Sequence, residues 1–186
     1  ETGQASIKIF MVNASFDANI RAYLATMAAA GRAGILTMVH TEDGPILARA
    51  VEQLTAAGKT SLEHFPDSRP VLGEVVAMQR AVGMAEQTGS PIYAVHVSSA
   101  RALRVAQDAQ ARGVTVFVET RPIYLHLTRE RFDGPDRGLY VGQPPLREQS
   151  DQDALWDGLA NGTIHVVGTD HVAYRREVKL DPSQTI

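Results

Sequence analysis

Cysteine is absent from this sequence of 186 residues. Its absence excludes a disulfide framework and thiolate chemistry, and it is compatible with a reducing compartment. No apolar stretch approaches the ~20 residues that cross a membrane, and no apolar secretory region is visible. We therefore expect a cytoplasmic protein that does not bind membranes.

A large excess of charge of either sign is also missing. The formal net charge is −3, which argues against a nucleic-acid-binding surface. Hydrophobic residues make up 44% of the chain, enough for a sizeable core. At this length we expect a single domain over residues 1–186. Because the sequence starts at Glu1 and ends without a capping element, we expect that domain to be a piece of a larger one.

Five apolar runs alternate with five segments of helical periodicity. The runs predict strands over residues 6–12, 34–40, 91–96, 114–118 and 163–169. The other segments predict helices over residues 17–33, 43–57, 71–88, 100–112 and 151–160. Asp17 and Ser98-Ser99 are suitable N-caps, and Gly89 suits a helix end. Residues 121–150 are the least regular part of the chain.

This alternation predicts an α/β fold with a parallel sheet and right-handed crossovers. Continuous apolar runs are typical of strands that are buried on both faces. Two architectures fit, an open doubly wound sheet and consecutive units of a (β/α)8 barrel. The glycine fingerprints of dinucleotide and phosphate loops are absent, which weakens the nucleotide-binding form of the open sheet. A complete barrel needs about 250 residues, so the barrel interpretation requires a partial barrel.

Polar residues interrupt or close four of the apolar runs. His40, His96 and Asp170 each end a run, and Lys8 lies inside the first one. Because parallel α/β folds bind ligands beyond the carboxyl ends of their strands, these side chains are expected to meet at one rim. The histidines could ligate a metal or simply hydrogen-bond a neighbouring backbone. Asp170 could ligate a metal, act as a general base or cap a turn.

Lys8 and Glu119 leave more interpretations open. A buried lysine is rare and has a lowered pKa, so Lys8 could form a Schiff base or take up carbon dioxide as a carbamate. It could equally lie on an edge strand with its amine in water. Glu119, at the end of the fourth run, could join the site, cap a helix or pair with an arginine. Arg121 adjoins a proline turn, where arginine usually ties loops together.

Seven short motifs occur in one order along nearly the whole chain. They are Ser6-Ile7-Lys8-Ile9-Phe10-Met11, Val39-His40-Thr41-Glu42-Asp43-Gly44, Ser68-Arg69-Pro70 with Glu74, Tyr93-Ala94-Val95-His96-Val97-Ser98-Ser99, Glu119-Thr120-Arg121-Pro122-Ile123-Tyr124-Leu125, Pro144-Pro145-Leu146-Arg147 and Val167-Gly168-Thr169-Asp170-His171. In this order the motifs resemble the dihydropyrimidinase/hydantoinase branch of the amidohydrolase superfamily. The resemblance implies a partial TIM (β/α)8 barrel that holds about strands four to eight with their helices.

The resemblance also implies a chemistry and a set of roles. Lys8 would be the carboxylated lysine that bridges two divalent ions, usually zinc. His40 and His96 would ligate the second metal, and Asp170 would ligate the first and shuttle the proton. A hydroxide between the metals would hydrolyse a C–N bond of a cyclic amide such as a hydantoin or dihydropyrimidine. Many relatives are tetramers, so we expect a homo-oligomer in the full-length protein.

The sequence departs from the family at three places. The His-x-His pair of the family's first strand is absent, so we expect the isolated chain to lack a complete two-metal site and activity. Asn13 stands where hydantoinases usually place a tyrosine, and Gln143 where they usually place a serine. Both are expected to bind substrate. The departures keep two alternatives open, a non-catalytic scaffold relative and an allantoinase- or dihydroorotase-like hydrolase.

Overall fold

The computed structural model describes residues 3–186, so the first two residues of the predicted domain lie outside it. Its centre is a sheet of five strands, all parallel and in sequence order within the described range. The strands are β1 Ser6–Phe10, β2 Leu36–His40, β3 Ile92–Ala94, β4 Val116–Thr120 and β5 Val166–Val167. The α/β fold with a parallel sheet that the alternation of elements predicted is therefore confirmed.

Nine helices accompany these strands in residues 3–186. They are α1 Ala14–Ala18, α2 Ile20–Arg32, α3 Gly44–Ala56, α4 Phe65–Ser68, α5 Val71–Thr88, α6 Ala100–Ala111, α7 Pro122–His126, α8 Gln149–Ala160 and α9 Arg176–Lys179. Short 3-10 turns occur at Leu62–His64, Arg129–Phe132 and Arg137–Tyr140. None of the described helices is long and apolar enough to cross a bilayer.

The hydrophobic core lies between the sheet and helices α2, α5, α6 and α8. Small residues bring the helices close, and Ala77 and Ala102 of the packed pair α5 and α6 are fully buried. In β4, Val116 and Val118 are buried while Phe117 between them is 38% exposed. The prediction of burial on both faces is therefore wrong for this strand, because within residues 3–186 the helices cover only one face of it.

Several predicted boundaries also change. The predicted helix 17–33 is two helices, and Asp17 lies inside α1 while Asn19 occupies the N-cap position of α2. Strand β3 ends at Ala94 because His96 adopts a left-handed backbone with φ 43°. The predicted strand 163–169 is reduced to Val166–Val167. Helix α5, by contrast, spans the predicted residues 71–88 and ends at Gly89 with φ 64°.

Candidate active site

A cavity of about 630 Å³ contains all six side chains that the sequence singled out for a site. They are Lys8, Asn13, His40, His96, Gln143 and Asp170. Parallel pairing places the ends of the strands beside one another, as the pairing of Phe10 with His40 shows. The expected convergence at one rim is therefore present in the structure.

The two histidines are in direct contact with each other in this cavity. His40 Nδ1 lies 3.0 Å from His96 Nε2, and both residues are buried. Burial holds the pKa of His96 well below its usual value, and the nearby His40 and Lys8 lower it further. His96 is therefore a neutral imidazole at physiological pH, which is the form that ligates metals.

A carboxylate binds the ring nitrogen of His40 that faces away from His96. Glu42 Oε2 lies 2.8 Å from His40 Nε2, and Arg69 Nη1 donates to the same oxygen at 2.7 Å. Because an ionised carboxylate only accepts, Nε2 of His40 carries the proton and Nδ1 presents its lone pair toward His96. Metal-ligating histidines are commonly oriented in this way by a carboxylate behind the ring.

The donor set fits part of a divalent metal site. The two imidazole nitrogens lie 3.0 Å apart, and the tautomer of His40 leaves Nδ1 without a proton, with a lone pair that can accept from His96 Nε2–H or ligate a metal. In the described range, no group of three or more His, Cys, Asp or Glu side chains is arranged to hold an ion. The histidine pair therefore accounts for two ligands, while Lys8 and Asp170 line the cavity without closing around the pair.

Lys8 lies on β1, at the end of the strand order, and is exposed. Its Nζ lies 4.9 Å from the centre of the Phe10 ring. Among residues 3–186, Lys8 thus has the environment of an exposed edge-strand lysine. The reason is that β1 is covered on one face only, where Ile9 packs into the core.

Asp170 lies beyond β5 with a left-handed backbone, φ 47°. Its side chain is 39% exposed, and Oδ2 lies 3.8 Å from Arg121 Nη1. Arg121 Nε also donates to the carbonyl oxygen of Thr169 at 3.2 Å. Arg121 therefore ties the segment before Asp170 to the loop after β4, in agreement with the role expected for an arginine beside a proline turn.

Asn13 and Gln143 lie in two different loops of the cavity. Asn13 precedes α1 without a capping hydrogen bond from its side chain, which leaves its amide free for other contacts. Gln143 is exposed, and the next residue is fixed because Tyr124 donates its hydroxyl to the Pro144 carbonyl oxygen at 2.6 Å. Their role in substrate binding remains a prediction.

A buried ion pair joins three loops behind the histidines. Glu74 is fully buried and accepts hydrogen bonds from Ser98 N at 2.7 Å and Ser98 Oγ at 2.9 Å. Arg147 Nη2 lies 3.6 Å from Glu74, its Nε donates to Ser98 Oγ at 3.0 Å, and its Nη1 donates to the Arg69 carbonyl oxygen at 2.6 Å. The motifs around residues 69, 98 and 147 are therefore one network in space.

Two acidic residues have site contacts that sequence reasoning did not assign. Glu42 orients His40, and the available signal was an acid two residues after a strand-ending histidine. Glu119 was expected to cap a helix, pair with an arginine or join the site. It accepts hydrogen bonds from the Tyr93 hydroxyl at 2.7 Å and the His96 backbone N–H at 3.1 Å, so of these alternatives a contact with the site is the one present.

No family model matches the chain. The chain is 36% identical to the D-hydantoinase of Ralstonia pickettii over 180 residues, which are 94% of this chain and 39% of that protein. It is 35% identical to the allantoinase of Deinococcus radiodurans over 175 residues, 92% of this chain and 39% of that protein. The solved structure of D-hydantoinase (dihydropyrimidinase) from Thermus sp. is similar with a TM-score of 0.92, at 33% identity, over 98% of this chain and 41% of that one.

The chain belongs to the hydantoinase and dihydropyrimidinase family. The family resemblance drawn from the seven motifs is thereby confirmed. The chain spans about two fifths of the length of these three relatives. Its five-stranded sheet corresponds to part of the TIM barrel of the hydantoinase structures, so the partial-barrel prediction is confirmed as well.

Proposed function

We propose that the protein hydrolyses a C–N bond in a cyclic amide of the hydantoin or dihydropyrimidine type, using divalent metal ions, with zinc as the first choice. The observation that carries the proposal is the pair of histidine nitrogens, 3.0 Å apart, in a cavity that also contains Lys8 and Asp170. Relatives at 36% and 35% identity are a D-hydantoinase and an allantoinase, which supports hydrolysis of such rings.

Four side chains are proposed to hold two metal ions. His40 Nδ1 and His96 Nε2 would bind one ion, and Asp170 would bind the other. Lys8 would bridge them after conversion to a carbamate, for which its exposure to the cavity leaves room. Bound divalent ions would supply an activated water and polarise the ring carbonyl of the substrate.

Asp170 is the proposed proton carrier. An aspartate that reaches the reacting atoms can accept a proton from the attacking water and return it to the departing ring nitrogen. Its carboxylate lines the cavity and is 39% exposed, and Arg121 Nη1 lies 3.8 Å from Oδ2. Glu42 keeps the proton of His40 on Nε2, so that Nδ1 stays free to bind metal.

Asn13 and Gln143 are proposed to bind the amide groups of the substrate ring. Both carry a side-chain amide, which can donate and accept hydrogen bonds, and both line the cavity. A single domain over residues 1–186, a cytoplasmic location and a homotetramer of the full-length protein remain predictions.

Allantoin is the second candidate substrate, because the allantoinase of Deinococcus radiodurans is 35% identical to the chain. The non-catalytic scaffold alternative is not favoured, since the relatives named here are enzymes. Substrate assays should therefore include allantoin beside hydantoins and dihydropyrimidines.

The test uses the longest natural protein that contains these residues, purified without chelator. We expect about two tightly bound metal ions per subunit, as in two-metal hydrolases, together with hydrolysis of at least one of the three substrate types. Less than about one ion per subunit, combined with no hydrolysis, would falsify the proposal.

A matched pair of histidine variants makes the test specific for the site. His96→Gln should lose metal and activity, whereas His126→Gln, which alters an exposed histidine on α7, should keep both. Lys8→Arg should lose activity as well, because a guanidinium keeps the positive charge but cannot form the carbamate. Equal behaviour of the two histidine variants would contradict the assignment.

A further inference from the structure

The two oxygens of the Glu119 carboxylate have different partners, one on the neighbouring strand β3 and one just after it. Oε2 accepts from the Tyr93 hydroxyl at 2.7 Å, and Oε1 accepts from the His96 backbone N–H at 3.1 Å. Burial raises the pKa of Tyr93, and the Glu119 carboxylate raises it further, so the phenol keeps its proton and stays a donor. The hydrogen bonds from Tyr93 and His96 thus hold the Glu119 carboxylate in one orientation.

The contact to His96 replaces a hydrogen bond of the sheet. Val95 N donates to the Val39 carbonyl oxygen of β2 at 3.2 Å, and Val97 N donates to the Glu119 carbonyl oxygen of β4 at 2.7 Å. His96, between them, has a left-handed backbone with φ 43°, which its Cβ disfavours. Its N–H would be buried without a ladder partner, and the Glu119 side chain accepts it.

The other side of Glu119 touches the segment that leads to Asp170. A Cβ atom placed on Gly168 would lie 2.7 Å from Oε2 and 2.8 Å from Cδ of Glu119. Real Cβ atoms do not approach so closely, so a side chain at residue 168 would displace the carboxylate. Gly168 is itself fixed, because its N–H donates to the Thr120 carbonyl oxygen at 3.0 Å.

We propose that Glu119 is a positioning residue that holds His96 in its left-handed conformation, and so directs its imidazole toward His40, with Gly168 providing the space it needs. The inference rests on the proposed function in so far as His96 is taken to be a metal ligand. Glu119 thereby links the histidine side of the site to the segment that leads to Asp170.

The first test measures Zn²⁺ affinity of the intact metal-free protein by competition with a chromogenic chelator. Glu119→Ala should weaken Zn²⁺ binding by about 10–100-fold, as loss of outer partners of metal ligands does. Glu119→Gln should restore most of the affinity, because its side-chain oxygen can still accept the His96 N–H. Glu86→Ala, which removes an exposed partner of Arg112, is the control and should bind as the unmodified protein does.

The second test uses the steric contact at Gly168. Gly168→Ala should weaken Zn²⁺ binding in the unmodified protein, because the added Cβ displaces the Glu119 carboxylate. In a Glu119→Ala background the same substitution should have almost no further effect, since the group it strikes is gone. Strictly additive losses would overturn the inference, as would a Glu119→Gln protein as weak as Glu119→Ala.

The third measurement does not depend on metal. The backbone amide signal of His96 in NMR spectra of the metal-free protein should move in Glu119→Ala and stay in Glu86→Ala, with circular dichroism confirming that both are folded. An unchanged signal in folded Glu119→Ala refutes the positioning role. If the unmodified protein binds no Zn²⁺, the proposed function fails, and the amide signal alone then decides the role of Glu119.

Discussion

The His40 side chain is 5% exposed in the cavity wall, whereas the Asp170 side chain is 39% exposed. Each histidine has a carboxylate that fixes it, Glu42 behind the His40 ring and Glu119 on the His96 backbone. Asp170 has Arg121 Nη1 at 3.8 Å, beyond hydrogen-bonding distance. The same cavity thus combines a firmly held histidine region with a loosely held aspartate region.

The difference shows which part of the site these residues build by themselves. Behind the histidines, buried charges join loops from three parts of the chain, through Glu74, Ser98 and Arg147. After Asp170 the chain is open, and Val172 and Tyr174 are 60% and 65% exposed. Substitutions in the histidine region should therefore change the free energy of unfolding. Substitutions at Asp170 should change the rate of hydrolysis and leave the free energy of unfolding almost unaltered.

The largest effect is expected for Glu74→Ala. The substitution leaves the Arg147 guanidinium buried without its carboxylate, which should lower the free energy of unfolding by about 3–5 kcal/mol. Urea denaturation measures the change, and Glu86→Ala, on the exposed face of the same helix, should lose less than about 1 kcal/mol. Similar losses in the two variants would remove the distinction between the buried and exposed regions.

Glu42→Gln should reveal the charge that holds His40. Burial by itself raises the pKa of Glu42, but its hydrogen bond with His40 and the charge of Arg69 hold it below the usual 4.5. A lowered pKa means that the carboxylate stabilises the fold above the unfolded-state pKa and loses this effect as pH falls through the folded-state pKa. The stability difference from the unmodified protein should be about 1–3 kcal/mol at neutral pH and should shrink in acid, below about 4.5.

Urea denaturation at a series of pH values checks this expectation. Glu52→Gln is the control, since the Glu52 side chain is 68% exposed, and its difference from the unmodified protein should stay small at every pH. A Glu42→Gln difference that grows in acid has the wrong sign and would exclude a stabilising carboxylate at this position.

Ser99→Ala should have a moderate effect. Ser99 is the N-cap of α6, and its Oγ accepts from Ala102 N at 3.3 Å, so its loss should lower the free energy of unfolding by about 1 kcal/mol. Ser15→Ala, at an exposed position of α1, should stay within about 0.5 kcal/mol of the unmodified protein. If Ser99→Ala were equally neutral, the loop after His96 would be held less firmly than its contacts indicate.

The smallest effect on stability is expected for Asp170→Asn. The exposed side chain should tolerate the change within about 0.5 kcal/mol of unfolding free energy. Hydrolysis by the intact protein should nevertheless fall by about 10²–10⁴-fold, the usual contribution of a general acid–base group. A large loss of stability would show that Asp170 belongs to the structural region, and unchanged hydrolysis would exclude it as the proton carrier.

The sequence predicted the parts of this molecule that depend on short-range patterns. The alternation of apolar runs with helical segments predicted a parallel sheet. It therefore also predicted that His40, His96 and Asp170 lie at one rim. Helix α5 was predicted with its bounds because its periodicity is uninterrupted between Pro70, which precedes its first residue, and Gly89, which ends it. The pair Ser98-Ser99 was predicted to cap the helix that follows, and Ser99 is the residue that does so.

The parts that were missed depend on contacts between distant segments. For Lys8 the sequence left both a buried and an exposed amine open, because an apolar run does not show which faces of the sheet the helices cover. The left-handed backbone of His96 depends on Glu119, 23 residues further along the chain. Ordinary turn signals such as glycine do not mark it, so the end of the third strand was predicted two residues too far along the chain.

The buried pair of Glu74 and Arg147 has a practical consequence for redesign of the protein. Arg147 holds the backbone at Arg69 and the side chain of Ser98 at once, so random substitution at these positions should fill a library with unfolded variants. Val172, Tyr174 and Val178 line the cavity that contains the two histidines, and their side chains are exposed. They take no part in the buried network. Diversity introduced at these three residues would sample new substrate shapes while the scaffold stays intact.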